Sequence, residues 1–159
     1  MLFIEDLMNV ASYICTRYFE EYGSRIDEMK LHKLLYFTQR ESLIQNGEPL
    51  FDAVFYGWKY GSIIKEIRLA YRDDMLFSTV PQHVVSSIKC VMDKIFAEYA
   101  GKDSWSLSRL IHGEFSWKNS RQGILDGENS DNLMKLDDLR VDADRIRERK
   151  EILLKLGLN

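Results

Sequence analysis

Three histidines and two cysteines are the residues of this 159-residue chain best suited to metal or nucleophilic chemistry. Their spacing leaves each of them alone. His32, His83 and His112 never stand four residues apart, so the helical His-Glu-x-x-His pair that holds zinc is missing. Cys15 and Cys90 have neither zinc-ligand spacing nor the density of a disulfide framework. Each falls in a helical run of apolar residues, which predicts two reduced, inert core thiols. No glycine-rich phosphate loop follows a strand, and no Gly-x-Ser-x-Gly elbow presents a serine. The expectation is a chain with no catalytic residue, no cofactor and no metal site.

What the chain does carry is aromatic side chains in two segments. The first runs from Lys30 through Tyr36 and Phe37 and on to Phe55-Tyr56-Gly57-Trp58-Lys59-Tyr60-Gly61. The second is Leu107-Ser108-Arg109-Leu110-Ile111-His112-Gly113-Glu114-Phe115-Ser116-Trp117. Trp58, Tyr60, Trp105 and Trp117 combine large apolar area with a polar handle, a type common in cores and enriched at binding hot spots. His112 ends a predicted helix, where free carbonyls favour a charged imidazole. Glu114 and Trp117 are placed to fix its ring, either as a structural cap or as part of a binding surface. Gly57 and Gly61 let the backbone turn or approach a neighbour closely. Trp58, Tyr60, His112 and Trp117 are the candidate partner-binding residues.

The balance of 22 basic against 25 acidic residues argues against a nucleic-acid partner, which calls for a basic excess or face. Residues 30–72 hold seven Lys/Arg against four Asp/Glu, read as a solvated face. A composition 45% hydrophobic and 30% charged is that of an ordinary globular domain. No apolar run is long enough to span a membrane. Met1–Asp6 lacks the basic region and cleavage site of a leader. A cytoplasmic protein is expected.

The elements that must position these residues are mostly helical. Leu7, Ala11, Ile14 and Tyr18 recur at helical steps over residues 5–22, ended by Gly23. Asp27 is placed to cap a helix over 28–46 that is apolar on more than one side, hence central. Lys30, Lys33 and Arg40 form its narrow polar stripe. Asn46-Gly47-Glu48-Pro49 is a turn. The aromatic run 53–59 predicts a short strand, and Ser62 a cap for a helix over 63–72. Helices are expected over 82–100 and 105–112, the latter capped by Asp103 or Ser104, with loop over 116–132. A terminal helix over about 137–156 carries a near-heptad seam of Leu136, Leu139, Ala143, Ile146 and Leu153. The fold class is mainly α: one compact multi-helix domain over residues 1–159, with a short extended or β segment near residues 53–59.

Taken together, four motifs resemble one family. Leu31-His32-Lys33-Leu34-Leu35-Tyr36-Phe37 is similar to the "KLQKLLYFAQ" signature of the Panacea domain. Gly47-Glu48-Pro49-Leu50-Phe51 resembles its "G-x-P-L-F" turn, and Trp58-Lys59-Tyr60-Gly61 its "AWKYGPV" element. Leu107-Ser108, Leu110, His112, Glu114 and Trp117 match the spacing of its "LS-x-L-(S/T)-H-x-E-x-x-W" element. The resemblance covers roughly residues 5–120. Gly57, Ser62, Ile111 and Ser116 depart from the residues usual there, and losing the proline at 62 loosens the turn before helix 63–72. The resemblance implies a SocA-like or phage-associated helical antitoxin that neutralises a cognate toxin, encoded by the adjacent gene, through direct contact. It also implies two alternatives: an adaptor that delivers the toxin to a Clp-type protease, and a nucleic-acid-binding regulator of its own operon. Partner choice is expected in the 73–81 connector, the 118–132 loop and the terminal helix.

Overall fold

The structure is a computed structural model that describes residues 4–158. Seven helices and one small sheet make up the described residues: α1 Leu7–Tyr22, α2 Glu28–Asn46, β1 Phe55–Trp58, β2 Gly61–Ile63, α3 Lys65–Arg72, α4 Gln82–Glu98, α5 Ser104–His112, α6 Phe115–Ser120, β3 Leu133–Met134 and α7 Leu136–Lys155. The expectation of a mainly α domain with a short β segment holds. The reading of the N-terminus as leaderless rests partly on Met1–Phe3, which lie outside the described residues.

Helix α2 is the axis of the fold. Every residue from Lys30 to Leu43 is buried, because α1, α3, α4, α5, α7 and β2 pack around it. Its start is fixed by Asp27, whose carboxylate accepts the Lys30 amide at 2.7 Å, and its end by Gly47 at φ 75°, where a left-handed residue ends a helix at least strain. Beyond that end the chain is held by α2 itself. Ser42 Oγ donates to the Glu48 carbonyl, Gln39 Nε2 to the Phe51 carbonyl, and Gln39 Oε1 accepts the Leu50 amide. Leu50 and Phe51 thereby enter the core.

The strands form an antiparallel sheet in the order β2-β1-β3. Trp58 pairs with Gly61, leaving Lys59 and Tyr60 as a two-residue turn. Gly57 lies so close to α6 that an added Cβ would meet Ser120 Oγ at 1.9 Å.

Four expectations are corrected. Ser62 is a buried residue of β2 and no helix cap; α3 starts at Lys65, after Ile64. Ser62 pairs in register with Gly57, so the turn ahead of it is Lys59-Tyr60. The 116–132 stretch is not all loop, because Phe115–Ser120 is a helix. Cys90 is exposed, while Cys15 is buried in the core as expected. The basic residues of 30–72 are not one solvated face: Lys30, Lys33 and Arg40 are buried. A helix surrounded on all sides has no solvent stripe, so its charged residues must find partners inside.

Candidate partner-binding site

The two aromatic segments meet at the β1–β2 turn. Three consecutive carbonyls of that turn each accept a hydrogen bond from a side chain of α5 or α6. Trp117 Nε1 donates to the Trp58 carbonyl at 2.9 Å, His112 Nε2 bonds the Lys59 carbonyl at 2.9 Å, and Ser108 Oγ donates to the Tyr60 carbonyl. Lys33 Nζ extends the row to the Ser62 carbonyl at 3.3 Å. A two-residue turn left to itself exposes these acceptors to water. Here each is answered by a side chain, two from α5 and one from α6, so the turn is tied to both helices.

The spacing of the second motif follows from this geometry. Ser108 and His112 stand one helical turn apart on the same face of α5. The break at Gly113 lets α6 bring Trp117 alongside, with its ring centroid 4.2 Å from that of His112. Burial holds the His112 pKa below its ordinary value, against the charged form expected at a helix end. Glu114, expected to fix the His112 ring, instead pairs with Arg40 of α2.

That ion pair opens a buried polar network. Arg40 also donates to Tyr99 Oη at 2.6 Å. Asp142 of α7, only 1% exposed, accepts the Tyr36 hydroxyl at 2.9 Å and the Phe115 amide at 2.8 Å. It thus joins α2, α6 and α7 at one point. Burial raises the Glu114 carboxyl above the ordinary range, with Arg40 opposing. Both Arg40 terminal nitrogens are paired in this network, while its Nε is buried without a partner.

On the other side of the turn lies a pocket of about 290 Å³, lined by Glu28, His32, Lys33, Trp58, Tyr60 and Arg68 among others. Its floor comes from α2 and its walls from the hairpin and α3. His32 is held from both sides: its Nδ1 accepts the Ile64 amide at 3.1 Å and its Nε2 meets Glu28 Oε2 at 3.1 Å. Burial lowers the His32 pKa, with Glu28 opposing. The hydrogen bond from His32 holds the Glu28 carboxyl below its ordinary range. Burial also brings the Lys33 ammonium down to about 8. Gly61 is at φ 117°, and a Cβ there would stand 3.0 Å from Lys33 Cε. Glycine is therefore required twice over, for conformation and for room. At the rim, Tyr60 meets Trp105 edge-on with centroids 5.1 Å apart, and the two are 45% and 56% exposed.

Of the four candidate residues, Trp58 and Tyr60 line this pocket, while His112 and Trp117 stand behind the turn and hold it, lining a separate opening with Lys59 and Arg121. Sequence reasoning missed Lys33, Arg68 and His32. The signal was present in α2: a lysine on a helix with apolar neighbours all round has no route to solvent. No group of His, Cys, Asp and Glu suited to a metal ion occurs among the described residues. None of their helices is long and apolar enough to cross a membrane. The family model described as antitoxin SocA-like, Panacea domain, matches residues 31–118, more than half of the chain. No curated protein and no solved structure matches it significantly.

Proposed function

Because this chain belongs to the antitoxin SocA-like Panacea domain family, we propose that it is the cytoplasmic antitoxin of a toxin–antitoxin pair and neutralises its toxin by direct binding, without turnover. The observation that supports a binding role is the clamped β1–β2 turn. It presents Tyr60 to solvent, edge-on to the exposed Trp105 of α5, on a backbone held by Ser108, His112 and Trp117. Exposed aromatics on a rigid frame lose little entropy when they bind. Trp58 and Tyr60 are the contact residues in this reading, and His112 and Trp117 position them. The 118–132 stretch flanks the contact, with Asn129 accepting the Lys59 amide, and together with the 73–81 connector and the terminal helix it sets partner choice.

A second surface favours keeping the adaptor alternative. The last turns of α7 leave Ile152, Leu154 and Leu156 more than half exposed. An adaptor needs two faces, one for its cargo and one for the Clp-type protease. Nucleic-acid binding has less support, since three of the seven basic residues of 30–72 are buried.

Rescue of toxicity tests the proposal. The adjacent gene is induced with and without this protein, in wild-type cells and in cells lacking Clp proteases. Relief in both backgrounds, lost in Y60A or W58A, is the expected result. Relief only with the protease present supports the adaptor. A toxic neighbour that is never relieved overturns the antitoxin reading.

A further inference from the structure

The pocket beside Trp58 holds charge that the protein itself leaves unanswered. Lys33 Nζ has one acceptor among the described residues, the Ser62 carbonyl at 3.3 Å, whereas an ammonium has three protons to donate. Arg68 stacks its guanidinium carbon 4.8 Å from the Trp58 ring centroid and has no ion pair or side-chain hydrogen bond among the described residues. Trp58 Nε1 is buried and has no hydrogen-bond partner there either. The carboxylate that lines the pocket, Glu28, is held by His32 at 3.1 Å and by Arg72 at 3.9 Å. Glu28 is thus answered by Arg72, and with His32 neutral Lys33 and Arg68 are left as the cations lining the pocket.

We infer that this pocket receives the carboxylate of an acidic side chain on the partner protein, with Lys33 and Arg68 as counter-charges and the Trp58 indole as an added donor. The inference rests on the reading of this chain as a toxin-binding protein and names the chemistry that its site recognises. The two oxygens of a carboxylate match the two cations, whereas a bulkier, doubly charged phosphoryl group would also stand against the Glu28 carboxylate. The volume of about 290 Å³ suits a side chain and is at the low end for free ligands. Met29, Tyr60 and Ile63 supply apolar wall for its methylene stem. A buried lysine with unused donors is costly until an anion arrives, which makes the contact selective for charge over shape.

The test is a titration of ¹⁵N-labelled protein followed through its three indole N–H signals, with Trp58 assigned by W58F. The probes are N-acetyl-glutamate-N-methylamide, its glutamine counterpart and inorganic phosphate. The expected result is a saturable shift of the Trp58 signal with the glutamate compound at millimolar concentration. Binding of the glutamine compound is expected to be at least about tenfold weaker, as for loss of one charged hydrogen bond. K33M and R68Q should abolish the shift while the other indole signals stay in place. Equal binding of glutamine, tighter binding of phosphate, or an undiminished shift in K33M overturns the inference. In a second arm, K33M is expected to weaken binding of the adjacent-gene toxin by about 30-fold or more, the range for truncating one partner of a buried charge pair. If wild type and K33M bind that toxin equally, the pocket inference falls and the antitoxin reading stands. If the wild type does not bind it, the antitoxin reading falls, and the glutamate titration alone decides the pocket.

Discussion

Replacing Lys33 by methionine is expected to make the free protein more stable. The side chain is 2% exposed, and burial brings its pKa from 10.5 to about 8, with Asp27 and Glu28 opposing. A difference of about 2.5 pH units, at 1.36 kcal/mol each, means that holding this charge inside costs about 3 kcal/mol at neutral pH. Methionine has similar length and no charge. It forfeits the bond to the Ser62 carbonyl, worth about 1 kcal/mol. The net gain is about 2 kcal/mol, or about 4–8 °C in Tm for a domain of this size. The pH dependence carries a definite sign. Below about pH 8 both folded and unfolded chains hold the proton, and the cost is present in full. Between about 8 and 10.5 the folded lysine has released a proton that the unfolded one retains, so wild-type stability rises with pH and the advantage of K33M closes. Urea denaturation of both proteins at pH 7 and pH 9.5, followed by circular dichroism, measures this. A variant less stable than wild type at pH 7, or a gap unchanged at pH 9.5, refutes the reasoning.

Two further outcomes follow from the same packing. E114L strands Arg40 in the interior without its carboxylate and is expected to cost about 3–5 kcal/mol, whereas the double variant R40M/E114L recovers most of that loss; denaturant midpoints of the single and double variants read the coupling. G57A places a Cβ 1.9 Å from Ser120 Oγ, so either that hydroxyl leaves its bond to the Trp117 carbonyl or β1 and α6 part, at about 1–3 kcal/mol, and G57A/S120A is expected to regain part of the lost Tm.

The helices were legible because their signals are local. Asp27 and Asp103 cap where their sequence position predicts, and Gly23 and Gly47 end helices in the left-handed conformation. The elements that were misread are too short to show a period. Six residues of α6 complete less than two turns, and β3 is a pair of residues whose strand state comes only from pairing with β1. The start of α3 was lost for a related reason: Gly61 and Ser62 read locally as a turn and cap, but register with β1 draws them into a strand. Cys90 was misplaced because α4 is amphipathic and the cysteine sits on its outer face. For the site, the aromatic pair Trp58 and Tyr60 was visible by residue type. Lys33 and Arg68 were not, because their importance depends on which neighbours leave them unpaired. His112 and Trp117 were recognisable as special, yet only the three-dimensional path of the turn shows that they hold its carbonyls.

Asp142 has a consequence for how this chain reaches its native state. The carboxylate lies in α7, and it accepts hydrogen bonds from the Tyr36 hydroxyl of α2 and from the first amides of α6. A nascent chain that has emerged only as far as residue 118 contains every recognised motif, but it lacks the group that closes the far side of its central helix. Leu139 and Ala143 of the same helix are buried as well, so α2 would stand open along that flank. The 31–118 stretch is thus a unit of recognition in sequence without being a unit of folding. Vectorial synthesis leaves this flank of α2 uncovered until the final helix has emerged and docked. During that interval the exposed flank of α2 is a site that chaperones or proteases can compete for.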